Sequence, residues 1–278
     1  MKKKNNLSTV ILIILLVAGL SLLLYPSVAN WWNSKVSSYA VSRYEQELAV
    51  IDEEKYQELW QSAWNYNREL VQRTNQFALT PEQKVQYGEL LNISGNGMMG
   101  YIEIPSIQVT LPVYHGTSEV TLQTAVGHLE WTSLPTGGES THCVLSGHRG
   151  LPSAKLFTDL DKVKVGDLFI LHVLDEALTY EVDQIVIVYP EEAEELMLQE
   201  GKDLVTLVTC TPYGVNSHRL LVRGHRVETN GEAVKIRVTA DAMIVEKLIV
   251  APFLLVPMLL LFLVVISIPK KNKRRNEN

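Results

Sequence analysis

The chain has 278 residues, 46% of them hydrophobic and 20% charged, with a formal net charge of −6; that length allows two short membrane segments and one soluble domain of ordinary size. Eight of the 25 basic residues flank two apolar runs near the ends, but only Glu277 of the 31 acids does, so the intervening chain is acidic by 13 charges. An acidic domain has no electrostatic basis for holding a phosphate backbone, so nucleic-acid binding is excluded.

Lys2, Lys3 and Lys4 stand in a short tail, residues 1–6, ahead of an uncharged apolar run over 7–24. At ~1.5 Å per residue that run is just long enough for a hydrocarbon core of ~30 Å. A second uncharged run, 248–268, precedes a tail over 269–278 with Lys270, Lys271, Lys273, Arg274 and Arg275. Pro252 and Pro257 inside it are tolerable in a membrane, where neighbouring groups satisfy the freed carbonyls. Positive flanks stay on the cytoplasmic side. Both termini are therefore expected inside the cell membrane, with the middle of the chain outside. Ser27-Val28-Ala29 also suits a leader peptidase, so the first run reads as a signal anchor or as a cleaved signal peptide. Either reading exports the domain.

Residues 33–76 carry apolar side chains three and four apart: Val36, Ala40, Tyr44, Leu48 and Ile51, then Tyr56, Leu59, Ala63, Tyr66 and Leu70. This spacing predicts two amphipathic helices that pack on the domain, broken at Asp52-Glu53-Glu54 with Asp52 as a cap. Residues 77–99, with Pro81, Gly88, Gly95 and Gly97, read as a loop region. From 100 to 230 the texture becomes short and Val-, Ile-, Leu- and Thr-rich. Strands are expected at Tyr101–Ile104, Ile107–Val113, Thr141–Ser146, Leu168–Val173, Leu178–Tyr189, Leu204–Cys210 and Arg219–Val227. Seven short strands with few intervening helices suggest a closed or nearly closed β-barrel.

Two stretches carry chemistry. In Thr206-Leu-Val-Thr-Cys210 a cysteine closes an apolar strand, a Pro/Gly/Asn-containing loop follows, and Arg219 opens the next strand. Such a loop can bring a thiol and a guanidinium together. A thiol acts near neutral pH only when a neighbouring base or cation favours the thiolate, and an arginine fork can hold a carbonyl or an oxyanion. In Thr141-His-Cys-Val-Leu-Ser-Gly-His148-Arg-Gly150 a strand runs into a turn that displays His148. An imidazole there suits proton transfer. Arg149, Arg223 and Arg226 compete with Arg219, and strand alternation puts Arg223 on the same face as Arg219. His218 adjoins Arg219 and reads as a surface residue, with the remaining histidines structural or exposed. Cys143 and Cys210 are the only cysteines; a bridge between them in an exported domain is the alternative to a free nucleophile. No zinc-type spacing is present, and the acidic run Glu191-Glu192-Ala-Glu194-Glu195 reads as a solvated face, so no metal or cofactor is expected.

Ser146-Gly-His148 and Thr206-Leu-Val-Thr-Cys210, with Arg219 nine residues beyond, resemble the sortase signature. Gly127-His-Leu-Glu130, Ser133-Leu-Pro-Thr-Gly-Gly138, Gly147-His-Arg-Gly-Leu-Pro-Ser-Ala-Lys-Leu-Phe157 and Cys210-Thr-Pro-Tyr-Gly214 resemble its class C, pilin-polymerising branch. The second membrane segment does so too. This resemblance implies a Gram-positive cell-surface enzyme with an eight-stranded sortase barrel, framed by the amphipathic helices and two transmembrane helices. It also implies a cysteine transpeptidase. Cys210 would attack a Leu-Pro-x-Thr-Gly-like sorting signal and form a thioester, with His148 exchanging protons and Arg219 holding substrate or oxyanion. The thioester would then pass to a pilin lysine. Anchoring surface proteins to peptidoglycan, or a non-catalytic membrane-tethered scaffold, remain as alternatives. One departure stands out: the lid segment of class C members carries an Asp-Pro-aromatic triplet, and Asn75-Gln-Phe-Ala-Leu-Thr-Pro81 does not. Phe77 is the lid candidate.

Overall fold

The computed structural model describes residues 6–73 and 77–228. The second apolar run and the basic tail lie outside the described residues. Contacts divide the described chain into one unit ending at Ser27 and another beginning at Val28.

Helix α1 runs without interruption over Asn6–Leu48, with Pro26 inside it. The amphipathic stretch expected from residue 33 is continuous with the helix of the apolar run. Its N-terminal part is exposed and is long and apolar enough to cross a membrane. The later part buries Tyr44 and packs Ala40 and Leu48 as the spacing indicates, with one exception at Val36. Val36 is 45% exposed, whereas Ser37, Val41 and Tyr44 are buried. Tyr44 anchors this face: its hydroxyl donates to the Met99 carbonyl at 3.0 Å and accepts from the Leu174 N–H at 2.8 Å. A buried phenol needs such partners.

Helix α2, Glu53–Val71, begins as the sequence indicates: the Asp52 carboxylate accepts the Lys55 N–H at 2.8 Å. It buries Leu59, Ala63, Tyr66 and Leu70. The loop reading of 77–99 misses a third helix, α3, over Pro81–Glu89. Its start signal is present in the sequence. Thr80 and Gln83 form a reciprocal capping box, with side-chain to backbone distances of 3.3 and 2.9 Å, and Pro81 occupies the first turn. Pro81 and Gly88 suggest a loop, but proline is at home in a helix's first turn.

Eight strands follow: β1 Met98–Ile104, β2 Val109–His115, β3 Val126–His128, β4 Thr141–Ser146, β5 Leu168–Val173, β6 Glu176–Val188, β7 Asp203–Thr211 and β8 His218–Arg226. A four-residue helix, α4 (Glu119–Leu122), precedes β3. They close into a barrel in the order β1-β2-β3-β4-β7-β8-β6-β5. Strands β4 and β5 keep their expected bounds. Ile107, expected in β2, instead ends a 3-10 turn that starts at Pro105. Strand β3 is absent from the sequence reading because three residues are too few to show alternation.

The barrel interior holds Ile102, Leu145, Phe169, Leu207 and Val222, all 0 or 1% exposed. Closure occurs where β1 meets β5, with Tyr101 opposite His172 and Ile102 opposite Leu171. At this seam the β1 backbone comes so near β5 that a Cβ on Gly100 would lie 2.1 Å from the His172 carbonyl oxygen. Two backbones cannot yield as a flexible side chain can. Gly100→Ala is therefore expected to destabilise the barrel by about 3 kcal/mol, the upper range for overpacking. Thermal unfolding of the two proteins measures this. An unchanged midpoint would show that the seam is looser than described.

Candidate active site

Strand β7 divides its side chains between two environments. Val205 and Leu207 point into the main core, while Val208 joins an outer cluster with Val144 of β4 and Leu221 of β8. Leu129, Val186, Val188 and Leu196 pack around that cluster and complete an apolar floor on the outside of the barrel. Cys210 shares parity with Val208, so it lies at the end of this outer face. It is partly exposed and its thiol is free.

Arg219 is the register partner of Cys210 across the β7–β8 ladder. Directly opposed residues of an antiparallel pair project from the same face with Cβ atoms ~4.5–5.5 Å apart. The guanidinium is steadied by local carbonyls: Nη1 donates to the Asn216 oxygen at 3.3 Å and to the His218 oxygen at 3.1 Å. The rival arginines are engaged elsewhere. Arg223 makes a two-point contact with Asp183, at 3.0 and 3.1 Å. Arg226, seven residues along β8, lies over the Tyr180 ring. Arg149 donates to Thr211 Oγ1 at 3.2 Å and pairs with Asp161 at 2.5 Å. Alternation leaves Arg219 and Arg223 equivalent; the ion pair with Asp183 separates them.

His148 stands two residues beyond β4, which runs parallel to β7 with Ser146 opposite Val208. The pairing continues past the strand: the Gly147 N–H donates to the Val208 oxygen at 3.0 Å, and Thr209 Oγ1 donates to the Gly147 oxygen at 2.7 Å. His148 is thus as far beyond Ser146 as Cys210 is beyond Val208. With neighbouring strands ~4.8 Å apart, the structure gathers His148, Cys210 and Arg219 at one end of three adjacent strands, β4, β7 and β8. Thr211 faces away from Cys210 and binds Arg149, so the residues after His148 and Cys210 are tied to each other.

Cys143 lies in a different environment. It is buried in the barrel interior, opposite Val205 in the parallel register, and burial pushes its thiol well above the usual range. Five residues of strand, roughly 16 Å, separate that position from Cys210, and the two side chains leave opposite faces. A disulfide needs Cα atoms within ~7 Å, so the bridge is excluded.

His218 packs against Tyr189, with ring centroids 4.6 Å apart and the planes tilted by 34°, and lies opposite Thr211 instead of Cys210. His128 and His142 are buried and His115 partly so, all bonded to backbone or side-chain oxygens, and His172 pairs with Glu103 at 3.0 Å. Phe77 is 52% exposed and rests its ring 5.0 Å from Trp131 in the β3–β4 connection. The sequence reading missed the apolar floor. Its trace was the near-continuous apolar character of Leu-Val around β7 and Leu220-Leu-Val222 in β8, which marks strands buried on both faces.

The Sortase domain family profile matches residues 102–227. Sortase C1 from Streptococcus agalactiae is 50% identical in sequence, covering 69% of this chain and 100% of that one, at a TM-score of 0.68. A Clostridium perfringens sortase C solved with the C-terminal cell wall sorting motif is 46% identical, covering 69% and 100%, at a TM-score of 0.62. The curated Sortase A of Bacillus anthracis is 30% identical over 135 residues, 49% of this chain and 62% of that protein. The match thus spans somewhat less than two thirds of that curated relative. Half-identity across a whole solved relative, on the same closed barrel, goes far beyond a shared architecture, and the chain belongs to the sortase family.

Proposed function

We propose that this protein is a membrane-held cysteine transpeptidase of the class C type, which joins a sorting signal to a lysine amine of a pilin. The observation carrying this reading is the register pairing of Cys210 with Arg219, beside the strand that ends at His148. The Cys210 sulfur attacks the carbonyl carbon of the Thr in a Leu-Pro-x-Thr-Gly-like segment lying on the apolar floor. As the C–N bond breaks, His148 gives its proton to the departing Gly amine, and a thioester remains. Arg219 holds the carbonyl oxygen while it carries negative charge. The lysine amine then attacks the thioester, His148 takes its proton, and the thiolate leaves as the isopeptide bond forms. A thioester retains enough acyl-transfer potential for this without ATP, so no cofactor enters.

The apolar N-terminal helix supports attachment to the membrane. The positive flanks support a second span over 248–268 with both termini cytoplasmic. The packing of Phe77 on Trp131 supports reading this segment as an apolar lid without the Asp-Pro-aromatic triplet.

The test is to incubate the protein with a sorting-signal peptide and either a pilin domain or a wall-precursor amine. Mass spectrometry is expected to find an acyl adduct on Cys210 and then an isopeptide to a pilin lysine. Transfer to the wall amine alone would replace pilus polymerisation with surface anchoring. No adduct on Cys210 with any sorting peptide would remove the enzymatic reading.

A further inference from the structure

The turn that presents His148 is the base of a hairpin that reaches helix α1. The Phe157 N–H donates to the His148 oxygen at 3.1 Å and closes the base, and Leu151 bridges Ala154 nearer the tip. Phe157 is fully buried, and its ring lies so close to Gly147 that a Cβ there would come within 2.7 Å. Any displacement of Phe157 is therefore passed to the backbone beside His148, because close-packed atoms leave no slack.

The tip is held by two side-chain amides of α1. Asn30 Oδ1 accepts the Lys155 N–H at 2.8 Å, and Asn33 Nδ2 donates to the Ser153 carbonyl. The two asparagines are three residues apart and so share one helix face. Between them they satisfy the backbone on both sides of buried Ala154, much as a neighbouring strand would. Asparagine is a poor helix former, so local propensity does not account for two of them on this face. Tip, hairpin, Phe157 and His148 thus form one packed chain that begins on α1.

We infer that Asn30 and Asn33 are positioning residues for His148, through which helix α1 sets where His148 stands relative to Cys210. This rests on the sortase reading of the site, and the experiment separates the two. In the full-length protein, Asn30→Ala/Asn33→Ala is expected to lower kcat about tenfold with KM within twofold. The substrate floor lies on the barrel strands and not on the hairpin, so binding is spared. Amide exchange at Lys155 and Phe157 is expected to rise at least tenfold. Asn30→Asp, which keeps the acceptor, is expected to restore most of kcat when paired with wild-type Asn33. Ser38→Ala, on the same helix but bonded only within it, serves as a control at wild-type values. An unchanged kcat, or faster exchange at Lys155 with none at Phe157, overturns the inference. If the double variant does not fold, Asn33→Asp, which loses only the donor, decides on the same readouts. A wild-type protein without transpeptidase activity would sink the proposed reaction, and exchange at Phe157 would still decide the clamp.

Discussion

A Cys210→Ala variant is expected to lose acyl-adduct formation and transpeptidation completely, while its fold is preserved. The thiol sits at a strand end on the outer face and contributes nothing to the barrel interior. No other group in the proposed reaction can form a thioester. The paired control is Cys143→Ala, which is expected to keep its activity and lose about 1 kcal/mol of stability, because that thiol is a small buried hydrophobe. Alkylation by iodoacetamide should follow the same division: Cys210 is accessible, whereas Cys143 is buried with its thiol held in the protonated form. Around Cys210 the expected losses are graded. His148→Ala should reduce turnover about 10²–10⁴-fold, the span of a general acid–base. Arg219→Ala should reduce it about 10²–10³-fold, the loss seen for one oxyanion donor. Arg219→Lys should recover little, since an ammonium lacks the planar fork. Substantial turnover in Cys210→Ala, measured by isopeptide product, would end this account.

Acid sensitivity of the fold is the second large effect, and it originates far from the thiol, in His128. This residue is 0% exposed, with Nδ1 2.8 Å from the Tyr87 hydroxyl and Nε2 2.8 Å from the Ser133 carbonyl. A carbonyl only accepts, so Nε2 carries the hydrogen and Nδ1 accepts from Tyr87: the ring is a neutral link between α3, β3 and the β3–β4 connection. Burial, outweighing the Ser133 carbonyl, lowers its pKa to about 3. In the unfolded chain the ring takes up a proton near pH 6.5. Between those values the unfolded state binds a proton that the folded state refuses, so stability is full above about pH 6.5 and declines as the pH falls toward 3. The loss over that window is on the order of 5 kcal/mol. Burial lowers His115 and His142 as well, which adds in the same direction. Asp203 opposes them: burial raises its pKa, so its contribution is lost as the pH rises through that value. Urea unfolding from pH 7.5 to 4 measures the sum. His128→Gln should flatten the slope by up to one proton, and an unaltered slope would show that His128 ionises without unfolding.

The reach of the sequence differs from one element to the next. Strand β4 and strand β5 were legible to the residue because Gly, Asp or Asn turns bound each apolar run. The start of α2 was legible because an acid caps it one residue ahead. The α1 face is legible at Ala40, Tyr44, Leu48 and Ile51 and fails only at Val36; the partners that hold Tyr44, Met99 and Leu174, are 55 and 130 residues away. The start of helix α3 is written in Thr80 and Gln83, but Pro81 and Gly88 give the same stretch the composition of a loop. Strand alternation leaves Arg219 and Arg223 equal and the family resemblance points to Arg219; the physical reason is Asp183, forty residues from Arg223, which holds that rival.

The sequence alone determined the membrane-crossing character of the N-terminal run, the barrel class, and the residue types able to form and pass on a thioester. These depend on composition and local spacing, which act over a few residues. Only the tertiary structure decided that Cys210 faces Arg219 and not Cys143, that Arg223 is taken by Asp183, and that α1 grips the His148 hairpin. Each of those is a matter of strand register or of contact between distant segments. Register is set by the side chains of both partners at once, and no single stretch of sequence contains it.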